Sequence, residues 1–196
     1  MAEATKLEQV LAAAARDIAA EGKRFALVGG LAVSVRAEVR FTRDVDLAVA
    51  VTSDTEAESL VYALKSRGYT AVASVEHEAQ SRLATIRLRS PQGVKVDLLF
   101  ASSGIEAETI NRAPPVALPS VGAVPIARAE ELLSLKVLSM TDERLQDRID
   151  ARNLLRVNVE LDLDCVRENL RLIAERGYAR KQDLSAKLRT VLDTSH

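Results

Sequence analysis

The sequence is poor in the residues that build metal clusters and disulfide frameworks. Its 196 residues include one cysteine, Cys165, and two histidines, His77 and His196. Neither histidine has a second histidine or a cysteine at ligand spacing, so we expect no zinc site. A single cysteine fits a reducing compartment rather than a secreted, disulfide-stapled fold.

Long apolar runs and an excess of one charge are missing too. Lysine and arginine number 27 against 28 acids, a net charge of −1, so no global charge attracts nucleic acid or membrane. No apolar run approaches the roughly 20 residues that span a bilayer. The N-terminus has no charged-then-apolar signal pattern. We therefore expect a cytoplasmic globular protein with no membrane contact.

An apolar run that stops at two glycines is the first informative motif. Residues 25–28 read as a buried strand, and Gly29-Gly30 as a tight turn that lets the backbone approach a ligand. The following residues, 31–38, predict a short helix whose free N–H groups would bind an anion such as phosphate. Ser34 could add a hydroxyl there, and an ordinary surface serine fits the pattern equally well.

Two carboxylates follow on a second apolar run. Asp44 and Asp46 alternate with Val45 and Leu47, and because a strand has period two, both acids project from one face. Such a pair repels itself unless a cation lies between its members. Mg²⁺ is commonly held by carboxylates together with substrate phosphates.

A third carboxylate lies in the strand predicted over residues 94–100. Asp97 interrupts this apolar run, where an acid is costly unless it is paired or bound to metal. The alternative is that Asp44 belongs to a solvated turn and Asp97 to an edge strand. In the preceding predicted strand, Arg87 and Arg89 share a face, which is either solvated or available to substrate phosphate.

This ordered set resembles the nucleotidyltransferase superfamily that includes the polymerase-beta-like enzymes. The resemblance implies an α+β fold with a small mixed β-sheet and flanking helices. It also implies that Asp44, Asp46 and Asp97 hold Mg²⁺ or Mn²⁺, and that an NTP is the substrate.

The chain changes character after four closely spaced prolines, Pro114, Pro115, Pro119 and Pro125. We predict a nucleotidyltransferase core with an N-terminal helix over residues 1–113, and an irregular proline-rich crossing over 114–125. Residues 126–196 predict a C-terminal helical bundle, which includes a helix capped by Thr141 that runs from Asp142 to about residue 157.

Polar residues interrupt the apolar pattern of this helical part. Lys136 stands in one helical row with Leu132 and Met140, so it either reaches the surface along its aliphatic stem or contacts an anion. On the next helix, Asp147 and Asp150 lie one turn apart, which is also typical of a salt-bridged surface helix.

Together these helical residues resemble a narrower group, the abortive-infection type nucleotidyltransferase toxins of bacteria and their tRNA-modifying relatives. The resemblance runs from about residue 25 to about 155. It implies that Lys136 contacts nucleotide phosphate and that Asp150, or alternatively Asp147, supports the site. Three arginines near the glycine turn are the local basic cluster that an RNA end would need: Arg36, Arg40 and Arg43.

The expected reaction is transfer of an NMP from an NTP to an acceptor hydroxyl. The acceptor is the 3′ end of a tRNA in the toxin-like interpretation, which also implies a cognate antitoxin. A small molecule or a protein hydroxyl is the alternative acceptor. A non-enzymatic module that has kept the fold is the third interpretation, and three mutually repelling carboxylates argue against it.

Overall fold

The computed structural model describes residues 4–77 and 82–193. His196 lies outside these ranges. The elements follow in chain order: α1 (Lys6–Ala20), β1 (Phe25–Val28), α2 (Gly29–Arg36), β2 (Asp44–Val49), α3 (Asp54–Ser66), β3 (Thr70–His77), β4 (Arg82–Arg89), β5 (Lys95–Leu99), α4 (Glu106–Arg112), β6 (Pro115–Leu118), β7 (Gly122–Pro125), α5 (Ala129–Ser139), α6 (Leu145–Val157), α7 (Leu163–Glu175) and α8 (Leu184–Asp193). The predicted α+β class with a small mixed sheet is confirmed.

The main sheet has five strands in the order β1-β2-β5-β4-β3. Strands β2 and β5 are parallel, and the other neighbouring pairs are antiparallel. Since a parallel pair needs a long connection, α3 and the β3–β4 hairpin lie between β2 and β5 in sequence. The two strands that carry the predicted acids are thereby direct neighbours.

One hydrophobic core joins the sheet to the C-terminal helices. Buried residues of β1, α5 and α6, such as Leu27, Leu132 and Leu154, belong to the same packed cluster. The backbone continues this contact, because the Ala127 N–H donates to the Leu27 carbonyl at 3.0 Å. The division into a core of residues 1–113 and a helical part of residues 126–196 stays a prediction.

The proline-rich segment is regular rather than irregular. It forms the hairpin β6–β7, in which Pro115 lies opposite Pro125 at the open end. Proline lacks a backbone donor, and it is tolerated at a strand's first residue and at sheet edges. The expectation of an irregular crossing is corrected because these prolines occupy such positions.

Two further differences are local. Helix α6 begins at Leu145 instead of Asp142, because residues 141–144 form a turn closed by the Arg144 N–H on the Thr141 carbonyl. Helix α4 has no counterpart in the sequence analysis, since seven residues are too few to show a helical period. Among the residues described, no helix combines the length and apolarity needed to cross a bilayer.

Candidate active site

The parallel register of β2 and β5 brings the predicted acids together. Asp46 lies directly opposite Asp97, and Asp44 lies two residues before Asp46 on the same face of β2. They border an open cavity of about 840 Å³ between the sheet and helices α5 and α6. Predicted site residues in the cavity wall are Gly29, Gly30, Asp44, Asp46, Asp97, Lys136 and Asp147.

The double glycine makes room for side chains of the protein itself. Gly29 has φ +65°, and a Cβ at this position would lie 1.9 Å from Oδ2 of Asp46. A Cβ at Gly30 would lie 2.4 Å from Nη2 of Arg40. The Gly30 N–H also hydrogen-bonds the Asp46 carboxylate. The first anion at the N-terminus of α2 is therefore the carboxylate of Asp46.

The environment of Asp46 disfavours its ionised form. Burial raises the pKa of Asp46 to about 6, and the neighbouring charge of Asp97 adds to the increase. Lys136 and the Gly30 N–H act in the opposite direction but do not cancel it. A carboxylate of this kind gains from a cation that offsets the repulsion.

Arg87 forms a bidentate ion pair with the carboxylate of Asp97. The two residues are paired across β4 and β5. Nε of Arg87 donates to Oδ1 of Asp97 at 2.8 Å, and Nη2 donates to Oδ2 at 2.6 Å. Within residues 4–77 and 82–193, no three histidine, cysteine, aspartate or glutamate side chains converge on one metal position. The acids are oxygen donors suited to Mg²⁺, but one of them faces an arginine.

Lys136 does not reach solvent along its stem. Its side chain is only 10% exposed, and Nζ lies 2.7 Å from Oδ1 of Asp147 and 2.7 Å from Oδ2 of Asp150. Arg144 also pairs with Asp147, at 2.9 Å. The anions that Lys136 contacts are thus carboxylates of α6, and its Nζ remains at the cavity wall.

Asp147 and Asp150 differ in position. Asp147 is in the cavity wall, whereas Asp150 is fully buried behind it and is not part of the lining. Although burial raises the pKa of Asp150, the hydrogen bond and charge of Lys136 bring it below the ordinary value, with help from Gln146 and Arg40. Asp150 is placed to position Lys136 and Arg40.

Arg36 and Arg40 of the basic cluster, and Ser34, form hydrogen bonds or ion pairs with other groups of the protein. Arg36 donates to the carbonyls of Ile126 and Ala127, and Arg40 pairs with Asp150 at 2.8 Å. The Ser34 hydroxyl donates to the Gly30 carbonyl at 3.1 Å, and Ser34 is not in the cavity wall. The structure therefore does not bring Ser34 to the site.

An exposed aromatic side chain stands at the mouth of the cavity and was not predicted as part of the site. Phe41 is 78% exposed, and Arg43 lies over its ring at 5.1 Å from the centroid. Leu145, the first residue of α6, and Arg144, which precedes it, line the same cavity. An aromatic residue in a polar loop beside Asp44 was the signal available in the sequence.

Solved structures of nucleotidyltransferases share this fold. An antigenic nucleotidyltransferase-like protein from Paracoccidioides brasiliensis matches with a TM-score of 0.52 and 20% identity, over 94% of this chain and 92% of that one. The solution structure of the antibiotic-resistance factor ANT(2″)-Ia matches with a TM-score of 0.52 and 15% identity, over 89% and 96%. No curated protein matches the sequence.

A family model decides the classification. The model described as "Nucleotidyl transferase AbiEii toxin, Type IV TA system" matches residues 10–193, which include all the acids and the lysine of the site. The match also covers the C-terminal helices, whose buried residues belong to the same hydrophobic cluster as those of the sheet. The chain belongs to the AbiEii family of nucleotidyltransferase toxins.

Proposed function

We propose that this protein transfers an NMP from an NTP to the 3′-terminal hydroxyl of a tRNA, with Mg²⁺ or Mn²⁺ held by Asp44, Asp46 and Asp97. The observation that carries the proposal is the register of two parallel strands, which sets Asp46 opposite Asp97 beside the Gly29 turn. Arg87 offsets only part of this charge through its pair with Asp97, and a divalent cation at the wall would offset the repulsion that remains among the three carboxylates.

The roles of the residues follow from their positions. Asp44 and Asp46 would hold the cation that accompanies the triphosphate, and Asp97 would orient the acceptor hydroxyl and help to remove its proton for in-line attack on the α-phosphorus. The new phosphoester bond forms as the bond from the α-phosphorus to the oxygen of the β-phosphate breaks, and pyrophosphate leaves. The bound cations would polarise the α-phosphate and stabilise the charge that develops on it. Lys136 supplies a fixed positive charge at the wall, and Asp147 and Asp150 keep its ammonium group in place. N–H groups of the first turn of α2 that Asp46 does not use are available to the β- and γ-phosphates.

The rim of the cavity favours an RNA acceptor. Proteins that bind single-stranded nucleic acid without reading a groove use exposed aromatic rings for base stacking and basic side chains for the backbone. Phe41 offers such a ring, and Arg43, Arg144 and Arg180 lie in the same cavity wall. This local basic rim exists although the whole chain has a net charge of −1.

The test is to incubate the full chain with Mg²⁺, total tRNA and each α-labelled NTP in turn. We expect label in RNA of tRNA length with at least one NTP. Periodate oxidation of the terminal ribose should abolish it, because the acceptor hydroxyl is destroyed. Asp46→Asn should lose the activity, whereas Asp164→Asn, at an exposed position on α7, should retain it.

A cavity of this size also accommodates a small-molecule acceptor. Label that appears only with an added small-molecule alcohol, and never in RNA, would refute the tRNA proposal while leaving the nucleotidyltransferase chemistry intact. A cognate antitoxin is the partner that the family implies. Loss of labelling on addition of the protein encoded next to this one would identify it.

A further inference from the structure

Arg87 forms the most complete ion pair at the acidic wall of the cavity. Both oxygens of Asp97 accept from its guanidinium, at 2.8 and 2.6 Å, in the fork arrangement that makes arginine–carboxylate pairs strong. The guanidinium also lies within the electrostatic influence of Asp44 and Asp46, whose charges favour its protonated form. The positive charge of Arg87 thus interacts with all three acids, and its hydrogen bonds go to Asp97.

This arrangement has a consequence for metal binding. The guanidinium occupies one lone pair on each oxygen of Asp97 and places its positive charge beside them, so it competes with a metal ion for this carboxylate. Asp46 lies opposite Asp97, yet among the described residues no three potential ligand side chains converge on one metal position. A divalent cation that binds Asp97 would therefore gain if Arg87 gave up one or both of its hydrogen bonds.

Arg87 has room to make this exchange. Its side chain is 42% exposed, and it lines the cavity, so its head can turn toward the cavity without entering the core. The Asp97 side chain is only 11% exposed, so the divalent cation that replaces Arg87 has to offset the cost of leaving a buried carboxylate without its arginine. The same cavity would contain the triphosphate, whose oxygens are bidentate acceptors of the kind that Asp97 now provides.

We propose that Arg87 is an exchangeable counter-ion: it holds Asp97 in the metal-free protein, yields it to the divalent cation, and then binds a phosphate oxygen of the nucleotide. This role rests on the proposed metal site. It assigns to a residue outside the predicted site both a restraint on metal binding and a contribution to nucleotide binding. Loss of Arg87 would strengthen metal binding and weaken nucleotide binding, so the two contributions can be measured separately.

A purely structural role for Arg87 predicts something different. If the pair only ties β4 to β5, its removal would lower stability and leave Asp97 less well placed. Affinity for a metal ion would then be unchanged or weaker. Exchange predicts tighter metal binding, because a competitor for the carboxylate has been removed.

The experiment measures Mn²⁺ binding to the full chain by electron paramagnetic resonance, without nucleotide and then with a non-hydrolysable NTP analogue. Arg87→Gln is compared with Arg89→Gln, two residues further along β4, exposed and outside the cavity wall. We expect Arg87→Gln to bind Mn²⁺ about tenfold more tightly, the factor that loss of one charge-assisted hydrogen bond gives. At saturating Mn²⁺ its affinity for the NTP analogue should fall by about the same factor. Arg89→Gln should change neither constant by more than about twofold.

The outcomes separate this role from the proposed function. Mn²⁺ affinity in Arg87→Gln that is equal to or weaker than wild type overturns the exchange while leaving the metal site in place. Absence of Mn²⁺ binding in the folded wild type with the NTP analogue and in folded Arg87→Gln overturns the metal site itself. Should Arg87→Gln fail to fold, Arg87→Lys takes its place, because an ammonium group lacks the planar fork that matches both carboxylate oxygens and holds Asp97 less firmly. Its Mn²⁺ affinity should exceed that of wild type, and equality would overturn the proposal.

Discussion

Replacement of Gly29 by alanine tests whether the position of Asp46 matters to the site. The added Cβ would lie 1.9 Å from Oδ2 and 2.5 Å from Cγ of the Asp46 side chain. Real Cβ atoms essentially never come within 3.0 Å of such an atom, so the carboxylate must retreat by about 1 Å or more. A displacement of about 1 Å in a positioned group can reduce turnover by two orders of magnitude.

The same substitution also carries a backbone cost, and the chain provides a control for it. Gly29 has φ +65°, where a non-glycine residue costs about 1–2 kcal/mol. Gly22, which ends α1, has φ +68°, and a Cβ there would meet nothing within 4 Å. Gly22→Ala should therefore lose about 1–2 kcal/mol of unfolding free energy, and Gly29→Ala should lose at least as much, because its Cβ also displaces the Asp46 side chain.

Only Gly29→Ala should lose function. Urea denaturation gives the two stabilities, and calorimetry with Mn²⁺ and an NTP gives metal-dependent nucleotide binding. We expect Gly22→Ala to bind as wild type does and Gly29→Ala to bind at least tenfold more weakly, because its Asp46 carboxylate is displaced. Equal binding by both variants would refute the reasoning, since Asp46 would then tolerate displacement and could not be a required ligand.

Three further changes test other parts of the site. Lys136→Ala should cost about 1.5–3 kcal/mol of unfolding free energy, because Asp147 and Asp150 lose their shared cation and keep only Arg144 and Arg40, respectively; a loss under 0.5 kcal/mol, roughly a third of the smallest value expected, would contradict this in urea denaturation. Asp97→Asn should keep NTP binding near the wild-type level but reduce transfer by about a hundredfold or more; equal losses in calorimetry and in the transfer assay would place Asp97 in the nucleotide site. Since the pKa of Asp46 is raised to about 6, Mn²⁺ affinity should fall as the pH drops through that value and the carboxylate takes up a proton; a titration flat from pH 5 to 7 would contradict this.

Local sequence patterns were sufficient to predict the strands that carry the three acids. Alternation of Asp44 and Asp46 with buried residues fixed which face they share, and the apolar run around Asp97 marked a strand. Neither pattern predicts that β2 pairs with β5, because a helix and a hairpin separate the two strands in sequence. The direct opposition of Asp46 and Asp97 follows only from the assembled sheet.

Local sequence patterns could not predict the roles of residues whose partners are distant in sequence. Arg87 looked equally suited to solvent, because its bond to Asp97 depends on the register between β4 and β5. Lys136 looked able to reach the surface, because Asp147 and Asp150 come from another helix. The glycine pair was expected to face a ligand, and its nearest neighbours are instead protein side chains.

The pairing of Arg40 and Lys136 with α6 bears on how the protein is made. Asp147 and Asp150 are the last predicted site residues to be synthesised, and without them Arg40 and Lys136 lack these buried partners. At a ribosomal rate of 5–20 residues per second, roughly 5–20 s pass between the synthesis of Asp46 and that of Asp150. A nascent chain therefore carries its carboxylate pair, Asp44 and Asp46, long before it can hold Lys136 in place. The candidate site of this AbiEii-family protein is therefore completed late in its own translation.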